Sequence, residues 1–315
     1  MGIFQASLSH YNPATEIPSL TGKVILVTGG NAGLGKQSVL QFAKHSPAHI
    51  WMGARSLSKA QAAIDEIRKE VPSANITALQ LDLTSFASIR AAAATVVSQS
   101  DRLDILMLNA GIMATPPGLT TEGYEIQFGT NHVGHALLTK LLRPLLLKTT
   151  TLPNADVRVV VLSSAGHNIP LRGPSGPIDY ATIKTEQAEH YSALRYGQSK
   201  LANVYFAQQM AKHYPQILTV AAHPGTVRTD LAVALEKKNV LWWLVVKLLE
   251  LQAYPVEDGA KSQLWAATAL KERIENGRYY VPVGKGGNES PVAKDEAKSA
   301  KLWEWTEAEL EGERI

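Results

Sequence analysis

Six short apolar runs, separated by stretches with helical spacing, constrain this chain more than any other feature. The runs are Val24–Thr28, His49–Met52, Ile76–Leu81, Leu103–Leu108, Val157–Leu162 and Leu218–Ala222. They are mostly apolar at consecutive positions, as strands are when both faces of a parallel sheet are covered. Amphipathic helical patterns fall between them, as in Gln37–His45, Lys59–Glu70 and Ser85–Ser100. Strand–helix repetition of this kind predicts an α/β fold: a doubly wound parallel sheet with right-handed crossovers and helices on both faces. No second core and no internal repeat is evident. Residues 1–20 carry Pro13, Pro18 and little periodicity, and read as an N-terminal arm. Residues 291–315 read as a tail whose Ala297–Leu310 stretch forms a last amphipathic helix.

Composition narrows the function. Lys and Arg number 31 against 28 Asp and Glu, a net charge of +3, and no Lys/Arg run stands out. No nucleic-acid partner is expected from that balance. The chain has no cysteine, which excludes disulfides, a thiol nucleophile and cysteine-ligated metal, and no metal site is expected. The first residues lack a basic start followed by an apolar core, so no signal peptide is expected. The longest greasy stretch, Val240–Leu251, is broken by Lys247 and Glu250 and falls far short of the ~20 residues of a spanning helix. A cytoplasmic enzyme is the expectation.

Directly after the first run comes Thr28-Gly29-Gly30-Asn31-Ala32-Gly33-Leu34-Gly35, and a helical pattern then begins. A glycine-rich strand-to-helix turn lets backbone approach a pyrophosphate, and the helix N-terminus offers free N–H groups and a positive dipole end. Further motifs follow in order. Asp82-Leu83 ends the third run, Asn109-Ala110-Gly111 follows the fourth, Asn131 lies on the next helical segment, and Ser163-Ser164 ends the fifth. Tyr196-Gly197-Gln198-Ser199-Lys200 comes next, and His223-Pro224-Gly225-Thr226-Val227-Arg228-Thr229 ends the sixth. In that joint order TGxxxGxG, NAG, the serine, YxxxK and the PG turn resemble the short-chain dehydrogenase/reductase family over about residues 21–285. The texture of NHVGHALLT and YGQSKLAN is similar to its retinol-dehydrogenase-like branch. The resemblance implies a Rossmann-type, dinucleotide-binding catalytic domain over residues 21–290, with a substrate lid near 230–256.

Tyr196 and Lys200, four apart, share one face of a helix. A neighbouring ammonium favours the phenolate and lowers a tyrosine pKa, which makes proton exchange with a substrate oxygen feasible. The resemblance implies that Tyr196 is the acid/base and Lys200 its pKa tuner and ribose-hydroxyl ligand. It implies that Ser164 bonds the substrate carbonyl and that Asn131 holds a water continuing the proton relay. It also implies cofactor contacts from Gly29, Asn31, Gly33, Leu34 and Gly35, from Asp82 and Leu83, from Asn109, Ala110 and Gly111, and from Pro224, Gly225, Val227 and Thr229. Between Ser164 and Tyr196 lie 31 residues, more than in many family members. The extra segment His167–His190, with Gly173, Pro174, Gly176 and Pro177, reads as a substrate-side loop or as a passive surface insertion. His167 reads as a substrate contact or as a solvated or structural histidine.

NAD-binding relatives place an acid at the end of the second strand to take the adenosine 2′-hydroxyl. Here that place reads Gly53-Ala54-Arg55-Ser56, with no Asp or Glu from His49 through Ile64. Arg55 can attract a 2′-phosphate by charge and bidentate hydrogen bonding, with Lys59 one turn on, so NADP(H) is the expected cofactor. The alternative is a solvated loop charge. Trp242–Leu249 reads in three ways: the wall of an apolar substrate pocket, a contact with a membrane surface or partner, or core. The expected activity is hydride transfer between NADP(H) and a carbonyl or alcohol carbon of a hydrophobic small molecule. Its rivals are imine or enone reduction on the same fold and a non-catalytic NADPH-binding regulatory protein. Family members often pair into homo-oligomers, so a homo-oligomer stays open here, as does pairing blocked by the long insertion and the tail.

Overall fold

The structure, a computed structural model, describes residues 11–169, 176–227 and 253–315. The six apolar runs become β1 (Val24–Thr28), β2 (His49–Ala54), β3 (Ile76–Gln80), β4 (Ile105–Leu108), β5 (Arg158–Leu162) and β6 (Leu218–Ala222). Two more strands follow, β7 (Tyr279–Val281) and β8 (Lys285–Gly286). They form one sheet in the order β3-β2-β1-β4-β5-β6-β7-β8. β1 to β7 run parallel and β8 pairs antiparallel with β7. The fold is the doubly wound α/β sheet that the sequence predicts. The sequence does not announce β7 and β8, because three and two residues around Pro282 and Gly284 are too few to show a period.

The consecutive apolar pattern follows from the pleat, which sends neighbouring residues to opposite faces. Leu26, Leu106, Leu108, Val159 and Val161 enter one core cluster; Ile25, Val27, Ile105, Met107, Val160 and Leu162 enter the other. The first face is covered by α4 (Phe86–Gln99), α6 (Gly134–Thr150), α7 (Ser192–His213) and α9 (Glu296–Glu309). The second is covered by α2 (Gly33–Ala43), α3 (Leu57–Glu70) and α8 (Val256–Thr268). At the N-terminus, α1 (Pro13–Glu16) is capped by Asn12, and Tyr11, Ile17 and Leu20 are buried against the second face. The Tyr11 hydroxyl meets Thr268 Oγ1 at 3.0 Å.

β4 starts two residues later than the apolar run. Asp104 is diverted: its carboxylate accepts from Val24 N at 2.9 Å and pairs with Arg102 at 2.7 Å and Lys23 at 3.2 Å. The strand order reverses between β1 and β4, and an open α/β sheet takes its ligand at the carboxyl ends of the strands at such a reversal. Among the described residues, no helix is long and apolar enough to cross a membrane.

Candidate active site

A cleft of about 630 Å³ opens at those carboxyl ends. Gly29, Asn31, Gly33, Leu34, Gly35, Arg55, Asp82, Leu83, Asn109, Ala110, Gly111, Tyr196, Lys200 and Pro224 all line it. Thirteen widely spaced positions between the glycine loop and α7, and the Pro224 turn beyond it, are thus brought to one site by strand ends. Asn131, Ser164, Gly225 and Val227 lie beside this lining. Thr229 and Trp242–Leu249 lie outside the described residues.

The glycine loop is held closed by its own backbone. A Cβ on Gly35 would stand 2.2 Å from Gly29 O and 2.6 Å from Asn109 Nδ2, so only hydrogen fits there. Asn109 Nδ2 donates to Thr28 O at 2.8 Å, and Ala110 N donates to Thr28 Oγ1 at 2.9 Å. The first turn of α2 has no side-chain cap from Ala32, whereas Ser56 and Ser85 cap α3 and α4. Uncapped N–H groups facing a glycine-lined cleft suit an anionic pyrophosphate. At the far wall the Asp82 carboxylate is oriented by Thr84, which donates from N at 2.9 Å and from Oγ1 at 2.7 Å. The exposed Arg55 side chain forms no ion pair among the described residues, and its carbonyl accepts from Gln80 at 2.7 Å. The residues present therefore fit a dinucleotide, with a cationic side chain where its adenosine end would lie.

The reactive end is built on α7 and the turn after β5. Tyr196 and Lys200 share one face, with Nζ 5.5 Å from the Tyr196 ring centroid. Lys200 Nζ donates to Leu162 O at 3.0 Å, and Asn203 Nδ2, one turn on, donates to the same carbonyl at 2.9 Å. Ser163, at the strand end, donates to Lys200 O at 2.7 Å. Ser164 caps a short 3₁₀ turn, Ala165–Asn168, with Oγ accepting from Gly166 N at 3.1 Å, and is hydrogen-bonded to the Tyr196 hydroxyl. A Cβ on Gly166 would lie 3.0 Å from Tyr196 Cε1, so the glycine makes room for the ring.

The proton chemistry differs from the sequence expectation. Burial pushes Tyr196 up to about 12, and the Ser164 hydrogen bond offsets only part of that. Burial also brings Lys200 down to about 8. Desolvation is the largest cause for both groups, because both are withdrawn from water.

Asn131 falls in a π-helical turn, Gly129–Val133, between α5 (Ile126–Phe128) and α6. Its amide is pinned: Oδ1 accepts from Ile112 N at 2.8 Å, and Nδ2 donates to Ile112 O and Ser199 Oγ, both at 3.0 Å. Its carbonyl lies 3.1 Å from His135 Nδ1, and His135 Nε2 lies 2.9 Å from Thr28 Oγ1. Thr28 and Ser163 of the sequence motifs thus brace the site together with His135 and Asn203, to which the motifs assign no role; the i, i+4 spacing of Asn131 and His135 is the local signal of His135.

Burial holds His132 and His135 neutral, each pushed down to about 3. Histidines in the unfolded chain take up protons near 6.5, so between those values the unfolded state binds protons the folded state refuses. Stability therefore falls as pH drops from about 6.5 toward 3, by up to ~1.4 kcal/mol per pH unit for each histidine. Urea melts at pH 6.5, 5.5 and 4.5 are expected to show this, with a shallower slope in His132→Phe. An unchanged slope in that variant contradicts the assignment.

Residues 23–240 match the family model described as short chain dehydrogenase. The short-chain dehydrogenase/reductase drtF of Aspergillus calidoustus is 40% identical over 309 residues, covering 93% of this chain and 95% of that protein. Retinol dehydrogenase 13 of Homo sapiens is 33% identical, covering 90% of this chain and 83% of its own. Among solved structures, an uncharacterised protein from Mycobacterium paratuberculosis superposes with a TM-score of 0.71 at 27% identity, over 94% of this chain and 96% of its own. An NADPH-bound carbonyl reductase from chicken fatty liver shares the fold with a TM-score of 0.63 at 24% identity, over 87% and 97%. This chain belongs to the short-chain dehydrogenase/reductase family, in its retinol-dehydrogenase-like branch. It is an oxidoreductase of a family that uses a nicotinamide cofactor on small-molecule substrates.

Proposed function

We propose that the protein transfers a hydride between NADP(H) and a carbonyl or alcohol carbon of a hydrophobic small molecule, with Tyr196 as the acid/base. The observation that carries this reading is that one cleft is lined both by the glycine loop and by Tyr196 with Lys200, with Ser164 beside it. When bound, the dinucleotide supplies the hydride. The chain's own groups handle the oxygen. With its pKa near 12, Tyr196 is protonated at neutral pH and holds the proton that a carbonyl oxygen takes on reduction. Ser164 donates to the same oxygen and stabilises its developing charge. Lys200 keeps two N–H bonds for ribose hydroxyls beyond the one spent on Leu162 O, and its charge supports the phenolate in the oxidative direction. Ile112 and Ile126 add apolar wall to the same cleft, which favours a lipophilic substrate. NADPH oxidation at 340 nm over lipophilic aldehydes and ketones tests the reading; imine or enone turnover without carbonyl turnover replaces it.

Preference for NADP(H) rests on Arg55. Its guanidinium, in no ion pair among the described residues, flanks the cleft where an NAD-binding relative would carry an acid. Arg55→Ala is expected to raise the KM for NADPH about tenfold or more, as loss of a charge-assisted phosphate contact does, and to leave that for NADH nearly unchanged. Equal effects on the two cofactors remove the preference.

A further inference from the structure

His167 lies on the same 3₁₀ turn as Ser164, and its side chain is completely buried. Nδ1 stands 2.7 Å from Ser164 O, and Nε2 stands 3.2 Å from the backbone N of Ser290. A backbone N–H can only donate, so Nε2 carries the lone pair and Nδ1 carries the hydrogen. The neighbours thereby fix one tautomer. The Ser164 carbonyl also accepts from His167 N at 3.1 Å, so main chain and side chain of one residue hold the same oxygen. On the other side of that peptide, Gly166 N occupies a lone pair of Ser164 Oγ. The imidazole packs edge-on against Tyr279 of β7, with centroids 4.6 Å apart. It spans from the end of β5 to the segment that follows β8.

We propose that His167 is a positioning residue: an Nδ1–H imidazole strut that locks the Ser164 peptide to the Ser290 backbone and so aims the serine hydroxyl at Tyr196 and the substrate oxygen. The inference rests on reading Ser164 as the substrate-oxygen ligand. A histidine that merely filled the core would satisfy its nitrogens anywhere; this one bonds the carbonyl of the residue that must be aimed. Burial lowers its pKa, in keeping with a ring that accepts at Nε2.

Two measurements test it. Long-range ¹⁵N–¹H correlations on the histidine-labelled full chain at pH 7, assigned by the signal lost in His167→Asn, need no substrate. The Nδ1–H tautomer is expected; the Nε2–H tautomer or an imidazolium overturns the strut. The second is kinetic, with NADPH and decanal as the probe. His167→Phe is expected to lower kcat about tenfold, the scale of one lost neutral hydrogen bond, with NADPH affinity unchanged. His167→Asn, whose amide N–H stands near the place of Nδ1–H, recovers most of that loss and serves if the Phe variant does not fold. In a Ser164→Ala background the same Phe substitution costs nothing further. Equal losses in Phe and Asn, or an undiminished loss on top of Ser164→Ala, overturn the strut alone. Wild-type kcat in Ser164→Ala overturns the reading of Ser164 and the strut with it.

Discussion

Tyr196→Phe lowers kcat by about 10²- to 10⁴-fold, the range for removing a general acid, and leaves NADPH affinity where it was. The ring already packs against Gly166 and is almost wholly buried, so the substitution removes one oxygen and little packing. Ser164 Oγ keeps its bond from Gly166 N, so the serine stays in place while its partner is lost. The cofactor wall also stays whole, because Asn109 holds the Thr28 and Gly29 carbonyls and Lys200 holds the Leu162 carbonyl through bonds that do not include the phenol oxygen. Turnover and binding therefore separate: 340 nm kinetics show the loss, and a fluorescence titration with NADPH does not. Turnover that persists in the variant assigns the proton to another group.

Arg195→Met costs about 3 to 5 kcal/mol of stability, the loss expected when one partner of a buried ion pair is removed. Arg195 Nη1 lies 2.7 Å from Glu125 Oε1, with both side chains at 1% exposure or less. Nη2 donates to Thr115 O at 2.9 Å, and the second Glu125 oxygen caps Phe128 N at 2.6 Å. The pair thus joins the start of α7, one residue before Tyr196, to α5 and the loop after β4. Without the arginine, a buried carboxylate is left with no countercharge. Melting temperature is expected to fall by roughly 5 to 8 °C for a loss of this size in a chain of 315 residues. Glu125→Leu added to Arg195→Met restores much of it, since apolar replacement of a whole buried pair is often neutral. A single variant that melts within a degree or two of the parent contradicts this account of the pair.

These two residues also show what the sequence makes legible. Tyr196 is readable because its chemistry needs Lys200 at i+4, and a helix repeats that spacing in the chain itself. The parallel core strands are readable because burial on both faces removes the polar residues that alternation would show. Arg195 and Glu125 are not readable as partners, since 70 positions separate them and nothing local marks either as buried. Asn203 and Gln263 are hidden for the same reason: their work is done across elements, as when Gln263 of α8 donates to Asn109 Oδ1 at 3.1 Å. The pKa of Tyr196 is a further case. Spacing brings Lys200 close, but how far burial raises the phenol and lowers the ammonium depends on packing from β5, the 3₁₀ turn and α7 together.

The most direct test of the central claim uses NADPH deuterated at nicotinamide C4 on each face in turn, with a lipophilic aldehyde that the protein turns over. One deuterium on the former carbonyl carbon of the product, from one face only and appearing about 10²- to 10⁴-fold more slowly with Tyr196→Phe, is the predicted result. Product formed without deuterium from either face contradicts hydride transfer in this cleft.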